Sequence, residues 1–403
     1  MKRIFYILFS FFFAFLFFVN PFTSMASDGY IPNVEEADSA EVNAEASAAD
    51  ENAVLTLNAP SCVLVEEKSG RVLFDKNSHE KRPCASITKV MTLILTFEAI
   101  ESGKFTYSDM LTASAHASSM GGSDIWLKEG ESMSVDDLIK ATVVMSANDA
   151  AVVLAEAVAG SEEAFVIMMN EKAKALGMND TLFKNCNGLD EEGHLTSAYD
   201  VAIMSCELLK HEKIFDYTNI WIDYVRGGET QLVNTNKLIK SYKGITGLKT
   251  GTTSLAKSCI SASAKRENLG LVAVVLGADN TDFRFKDAAA LLNYGFANYK
   301  IVSPQVPECE NLKVLSGMKK DVPAKIEGTP EILVSVSEKS EIKSELIINE
   351  NIEAPVNKGD ILGKVIYKVG ESEALSLPIK AEDSVEKADF ISIILKMLEL
   401  TFK

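Results

Sequence analysis

The stretch that most constrains the fold is Leu269 to Leu276, which is apolar or Gly at every position with no polar alternation. A strand that reads this way is covered on both faces, so it belongs at the centre of a sheet with a layer on either side. Its neighbours come from both ends of the same region. Ile260 to Ala264 and Gly247-Leu248-Lys249-Thr250-Gly251 precede it. Far upstream, Cys62 to Val65, Lys68-Ser69-Gly70 and Arg71 to Phe74 read as strand, tight turn and strand. Helical patterns fill the space between. An apolar helix runs from Ser86 through Met91 and Leu95 towards Gly103. Ser134 caps a helix with Asp136 and Asp137 in its first turn, Ala150 to Ala159 is stopped by Gly160, and Ser161 opens another that ends at Gly177. Residues 282–299 close the region as a helix. Strands at both ends with helices between predict an α+β fold: an antiparallel sheet flanked by helices, with an inserted helical subdomain over residues 86–211.

The two ends of the chain have other textures. Lys2 and Arg3 precede an almost wholly apolar run, Ile4 to Val19, then Pro21 and the small-residue site Ser24-Met25-Ala26. That is the order of a secretory signal peptide, expected over residues 1–26, and it predicts export to the outer face of the cytoplasmic membrane. Asp28 to Thr56 holds eight acidic residues and no Lys or Arg, so 27–56 reads as a disordered acidic leader. The main folded domain is expected over 57–300. From about Val302, short alternating runs split by Gly and Pro predict a small β-sandwich-like domain over 301–381. Residues 382–403 end in a helix on which Asp389, Ser392, Lys396, Glu399 and Lys403 share a narrow arc and apolar side chains fill the rest. That pattern suits a membrane interface, or packing on the chain's own β domain or on another copy.

Charge and ligand chemistry exclude several classes. A net charge of −17 argues against nucleic acid, which demands a basic surface. Four histidines without ligand spacing and six cysteines without close pairs predict neither a metal site nor any cofactor; most of the cysteines read as buried free thiols, with disulfide pairing, which an even count in an exported chain allows, left open.

Three short segments carry chemistry. Ser86 and Lys89, three apart on a helix, leave from one face, so a lysine with its pKa lowered by burial can take the seryl proton. Ser146 and Asn148 stand at a helix start, where a hydroxyl can relay a proton and an amide can orient a peptide bond; they equally read as a helix cap. Lys249-Thr250-Gly251-Thr252 on an edge strand offers positive charge and hydroxyls to a carboxylate, with Gly251 sparing room for substrate backbone. The order and spacing, about sixty residues and then about a hundred, match the three-part pattern of active-site serine penicillin-recognising enzymes.

The likeness extends beyond the triplets. Arg82-Pro83-Cys84-Ala85-Ser86-Ile87-Thr88-Lys89-Val90-Met91-Thr92, Ser118 to Ser123, Ser146-Ala147-Asn148-Asp149-Ala150-Ala151 and Gly247 to Gly251 resemble the serine-type D-alanyl-D-alanine carboxypeptidases, the low-molecular-mass penicillin-binding proteins. The resemblance implies a β-lactamase/transpeptidase-like fold, followed by the β domain and an amphipathic membrane-associating tail. It implies removal of the terminal D-alanine from peptidoglycan stem peptides ending in D-Ala-D-Ala, with β-lactams as covalent inhibitors at Ser86. In that scheme Ser86 is the nucleophile, Lys89 its base and Ser146 a proton relay. Asn148 holds the substrate peptide, while Lys249, Thr250, Thr252 and Arg284 recognise its carboxylate. Backbone N–H groups of Ser86 and Thr252 form the oxyanion hole. Two positions depart from the family pattern: Cys186-Asn187 stands where many members have Pro-His, and Cys84 where proline is common. A DD-endopeptidase or transpeptidase, a β-lactamase, or a non-catalytic muropeptide-binding protein are the alternatives on the same fold.

Overall fold

The computed structural model describes residues 55–337 and 341–401. The expected signal peptide and all but the last two residues of the expected acidic leader lie outside the described residues.

The central sheet has five strands, all antiparallel. They are β1 (Ser61–Glu66), β2 (Val72–Lys76), β3 (Ile245–Thr253), β4 (Lys257–Arg266) and β5 (Leu269–Ala278), in the order β2-β1-β5-β4-β3. The first strand of the fold pairs with the last, Ser61 opposite Leu276 through Glu66 opposite Leu271. β5 is buried at all ten positions, which is why its sequence lacks alternation. Val272, Val274 and Leu276 face the core shared with the helical block, together with Val63 and Val65 of β1. Leu271, Ala273 and Val275 face the other way, with Cys62 and Leu64, onto the closing helix.

The helical block comprises α1 (Lys89–Glu101), α2 (Val135–Val144), α3 (Asn148–Ala159), α4 (Glu162–Ala175) and α5 (Ala198–Leu209). Their starts follow cap chemistry. Ser134, Ser161 and Ser197 accept hydrogen bonds from the N–H groups of Asp137, Ala164 and Asp200, satisfying donors that a helix start leaves free. On the opposite face of the sheet lies α6 (Thr281–Asn298). Its buried Asp287 accepts from Asn58 Nδ2 at 2.9 Å and the Ala59 amide at 2.7 Å, which ties the beginning of the fold to its closing helix.

The chain then passes without a spacer into β6 (Tyr299–Val302), which pairs with β8 (Ile332–Ser335). Beyond α6 the regular elements among the described residues are all β apart from a terminal helix. β7 (Ala324–Ile326), β9 (Ile342–Ile348), β10 (Ile361–Val369) and β11 (Ser372–Ala381) form a four-stranded antiparallel sheet ordered β7-β11-β10-β9. Its core gathers Ile332, Val334, Val365 and Tyr367 on one side and Val322, Leu362, Ile379 and Val385 on another. Helix α7 (Phe390–Thr401) ends the described chain, with Phe390, Ile391, Leu395 and Met397 largely exposed. Among the described residues no helix is long and apolar enough to cross a membrane. All six cysteines are free, and five of them are buried or nearly so, with Cys309 half-buried.

Candidate active site

Ser86 lies in a single turn of 3-10 helix, Ala85–Thr88, and α1 begins at Lys89. The serine therefore precedes the α-helix by one tight turn. Ala85 has φ +50° and Ser146 φ +65°, left-handed conformations that persist in non-glycine residues only where the surroundings hold them. Both sit where the chain turns into a helix bearing a motif residue. The first is clamped from two sides. Arg82 and Thr196 exchange backbone hydrogen bonds at 2.7 and 2.9 Å, and β3 presses on the turn at Gly251. A Cβ on Gly251 would stand 2.7 Å from the Cys84 carbonyl and 2.9 Å from the Ser86 nitrogen, so the glycine makes room for the nucleophile's own turn. Gly188 does the same from the opposite loop: a Cβ there would stand 2.0 Å from the Ala85 carbonyl oxygen.

Within this clamp the motif residues converge. Lys89, fully buried, donates from Nζ to Ser86 Oγ at 3.0 Å, to Asn148 Oδ1 at 2.5 Å and to the Asn187 carbonyl at 2.6 Å. Burial pushes its amine down to about 7, because the charged form loses water that these acceptors only partly replace. In the neutral amine, two N–H bonds satisfy the Asn148 and Asn187 oxygens and the lone pair is left for Ser86. Asn148 is fixed in turn, since its Nδ2 donates to the Gly121 carbonyl at 2.6 Å and its amide to the Ser123 carbonyl at 2.6 Å.

Lys249 reaches across from β3. Its Nζ donates to Ser146 Oγ at 2.7 Å and to the Thr250 carbonyl at 3.0 Å. Burial, then the nearby Lys89 and Arg284 charges, hold its pKa well below the usual lysine range. Thr250 Oγ1 donates to Thr235 Oγ1 at 2.7 Å. Buried Arg284, from α6, donates to the Gly251 carbonyl at 3.1 Å and to Thr252 Oγ1 at 2.8 Å. With its oxygen accepting from the guanidinium, the Thr252 hydroxyl keeps its own proton for another acceptor. Ser86, Lys89, Ser146, Asn148, Lys249, Thr250, Gly251, Thr252 and Arg284 thus form one connected site. A hydroxyl beside a depressed-pKa amine, with a second hydroxyl beside a second amine, is equipped for nucleophilic acyl transfer. Among the described residues no group of three or more His, Cys, Asp or Glu side chains could hold a metal.

Several contributors are missing from the motifs. Asn187 serves through its backbone carbonyl, which carries no side-chain signature; its amide side chain instead contacts Met120 Sδ at 3.4 Å. Asp149, buried at the start of α3, accepts from the Ile125 and Leu127 amides and so pins the loop that holds Asn148. His194 braces the nucleophile turn from behind. The Lys184 amide donates to its Nδ1 at 3.2 Å, so Nε2 carries the proton and donates to Thr88 Oγ1 at 2.9 Å, while Thr88 Oγ1 lies 3.4 Å from Cys84 Sγ. Burial pushes the His194 imidazole down to about 4, so it stays neutral. Cys84, the odd residue of the sequence pattern, is the far end of this brace.

Comparison with known proteins agrees with the geometry. The D-alanyl-D-alanine carboxypeptidase model of peptidase family S11 matches residues 45–280, and the penicillin-binding protein 5 C-terminal domain matches residues 296–387. The D-alanyl-D-alanine carboxypeptidase DacF of Bacillus subtilis is 42% identical over 84% of this chain and 89% of its own. Penicillin-binding protein 5 of Haemophilus influenzae superposes with a TM-score of 0.72 at 28% identity, over 82% of this chain and 98% of that one. Penicillin-binding protein D2 of Listeria monocytogenes, in its ampicillin-bound form, does so with a TM-score of 0.56 at 31% identity, over 60% and 99%. The chain belongs to the peptidase S11 family of serine-type D-alanyl-D-alanine carboxypeptidases.

Proposed function

We propose that Ser86 is the acylated residue of this carboxypeptidase and that its substrate is a peptidoglycan stem peptide ending in D-Ala-D-Ala. The supporting observation is the 3.0 Å approach of Lys89 Nζ to Ser86 Oγ in a buried pocket that lowers the lysine's pKa to about 7. Lys89 takes the seryl proton as Oγ attacks the carbonyl between the two D-alanines. The N–H groups of Ser86 and Thr252 receive the oxyanion. Ser146 gives its hydroxyl proton to the departing D-alanine amine and is reprotonated by Lys249 Nζ, which donates to its Oγ. The substrate carboxylate meets Lys249, Thr250 and the free proton of Thr252. Its arrival gives Lys249 the counter-charge that its dry, cation-flanked position lacks, so binding and protonation at that lysine reinforce one another. Asn148 holds both the substrate amide and Lys89. Water then releases the acyl-enzyme, and a β-lactam enters the same path and stops at the ester.

The exposed apolar side chains of α7 support a membrane-surface anchor. With export directed by residues 1–26, the enzyme would act at the outer face of the cytoplasmic membrane. The test is release of D-alanine from a peptide ending in D-Ala-D-Ala, beside Ser86→Ala. Release that vanishes in the variant is expected. A stable penicillin adduct on Ser86 without release would point instead to transpeptidation or endopeptidase action, and neither release nor adduct from folded protein would overturn the assignment.

A further inference from the structure

The C-terminal sheet carries an open edge. β9 is its outermost strand and pairs with β10 without interruption, from Ile342 opposite Val369 to Ile348 opposite Gly363. It has no proline and no bulge; the charges of Lys343 and Glu345 are its one guard against pairing, and a partner that matches those charges lifts it. Leu346, Ile347 and Ile348 are each between 36% and 40% exposed. The register says which groups point outward. Asn349 N–H donates to the Leu362 carbonyl at 2.9 Å, one pair beyond Ile348–Gly363, so the odd-numbered residues exchange hydrogen bonds with β10. Bonded and non-bonded pairs alternate in an antiparallel ladder. The backbone groups of Ile342, Ser344, Leu346 and Ile348 therefore face away from the sheet.

We propose that this edge is a homodimer interface, in which two copies pair β9 to β9, antiparallel, about a two-fold axis at Ser344. Between-residue centres are ruled out, because they would use groups already bonded to β10. An axis through Lys343 or Glu345 sets like charges face to face, and one through Ile347 gives neither charge an opposite partner, which leaves the even residues as centres. Two such centres lie inside the strand. Centring on Ser344 sets Lys343 opposite the partner's Glu345, and Ile342 opposite the partner's Leu346, each twice by symmetry. Centring on Leu346 sets Lys343 opposite an asparagine and leaves Glu345 opposite an isoleucine. The segment Ile342-Lys-Ser-Glu-Leu346 is its own charge complement when reversed, which favours a second copy over any other occupant. The single copy leaves a charge to be matched. Lys343 lies directly opposite Lys368, Lys368 is paired with Glu345 at 2.7 Å, and Lys343 has no ion-pair partner among the described residues. The dimer joins two four-stranded sheets into one and removes both open edges.

The experiment uses the full chain in detergent. Ser344→Cys should give a reducible dimer under mild oxidation, since the two substituted positions face each other across the axis within disulfide reach. Lys325→Cys, on β7 at the opposite edge of the same sheet, should not. By sedimentation, Lys343→Glu should weaken association about tenfold, and adding Glu345→Lys to it should restore the original value. D-alanine release should be unchanged in every variant. Equal cross-linking at both edges, no cross-linking at either, a dissociation constant unmoved by Lys343→Glu, or a wild-type chain that stays monomeric at its highest soluble concentration would each overturn the proposal.

Discussion

Two of the edge strands of this molecule, β3 and β9, are treated in opposite ways. β3 is closed in. The nucleophile turn packs against Gly251, Arg284 binds the Gly251 carbonyl and Thr252, and Lys249 and Thr250 are buried. β9 is bare, with apolar side chains and alternate backbone groups in solvent. An edge becomes a catalytic surface when neighbouring segments restrict what can approach it, and remains an assembly surface when nothing does. The difference lies less in the strands than in what is packed beside them.

The comparison can be broken most severely at Gly251. Gly251→Ala should push the nucleophile turn away from β3 and lower the rate of penicillin acylation by at least about 10²-fold, the scale of a 1 Å misplacement. The protein should remain folded by circular dichroism. An acylation rate within threefold of wild type would show that the close packing is not what positions Ser86.

Asp149→Ala tests the other wall of the cleft. It leaves the Ile125 and Leu127 amides without their acceptor and should destabilise the protein by about 3 kcal/mol in denaturant unfolding. The pH profile comes next. The protonated Lys89 cannot accept a proton, and its pKa is lowered to about 7. Acylation should therefore rise as pH increases through about 7 and fall roughly tenfold per pH unit below it. A profile flat from pH 5 to 9 would remove Lys89 as the base. Arg284→Lys should raise KM more than it lowers kcat, by about tenfold in kcat/KM, because the shorter, unbranched side chain takes away the Nη1 that bonds both the Gly251 carbonyl and Thr252 Oγ1. The smallest effect belongs to the bare edge: Ile347→Thr should leave folding stability within about 0.5 kcal/mol.

The elements set by local chemistry were legible before any coordinates. Ser134 and Ser161 at helix starts, the unalternating β5 and the alternating strands after Val302 each have a residue-level cause, and the three motif segments carried the site. What stayed hidden depended on the backbone or on distant packing. The Asn187 carbonyl that holds Lys89 would be the same for almost any side chain, so its identity gave no signal. His194 looked isolated because its partners, Lys184 and Thr88, are ten and 106 positions away. Gly251 was read as clearance for substrate, whereas its neighbour is the chain itself. Arg284 belongs to no motif of its own, and only the packing of α6 against β4 and β5 brings it to Gly251 and Thr252.

The six free thiols carry a consequence of their own. Burial pushes Cys84 up to about 11 and Cys62, Cys206 and Cys259 up to about 12, with Cys186 also raised. The reactive species is the thiolate, and these side chains withhold it. Among the described residues the fold holds no disulfide for a reductant to open, and these five thiols give passing oxidants little to attack; half-buried Cys309 is the accessible sixth. The described fold is held by packing and hydrogen bonds, with no disulfide among its described residues for redox surroundings to make or break.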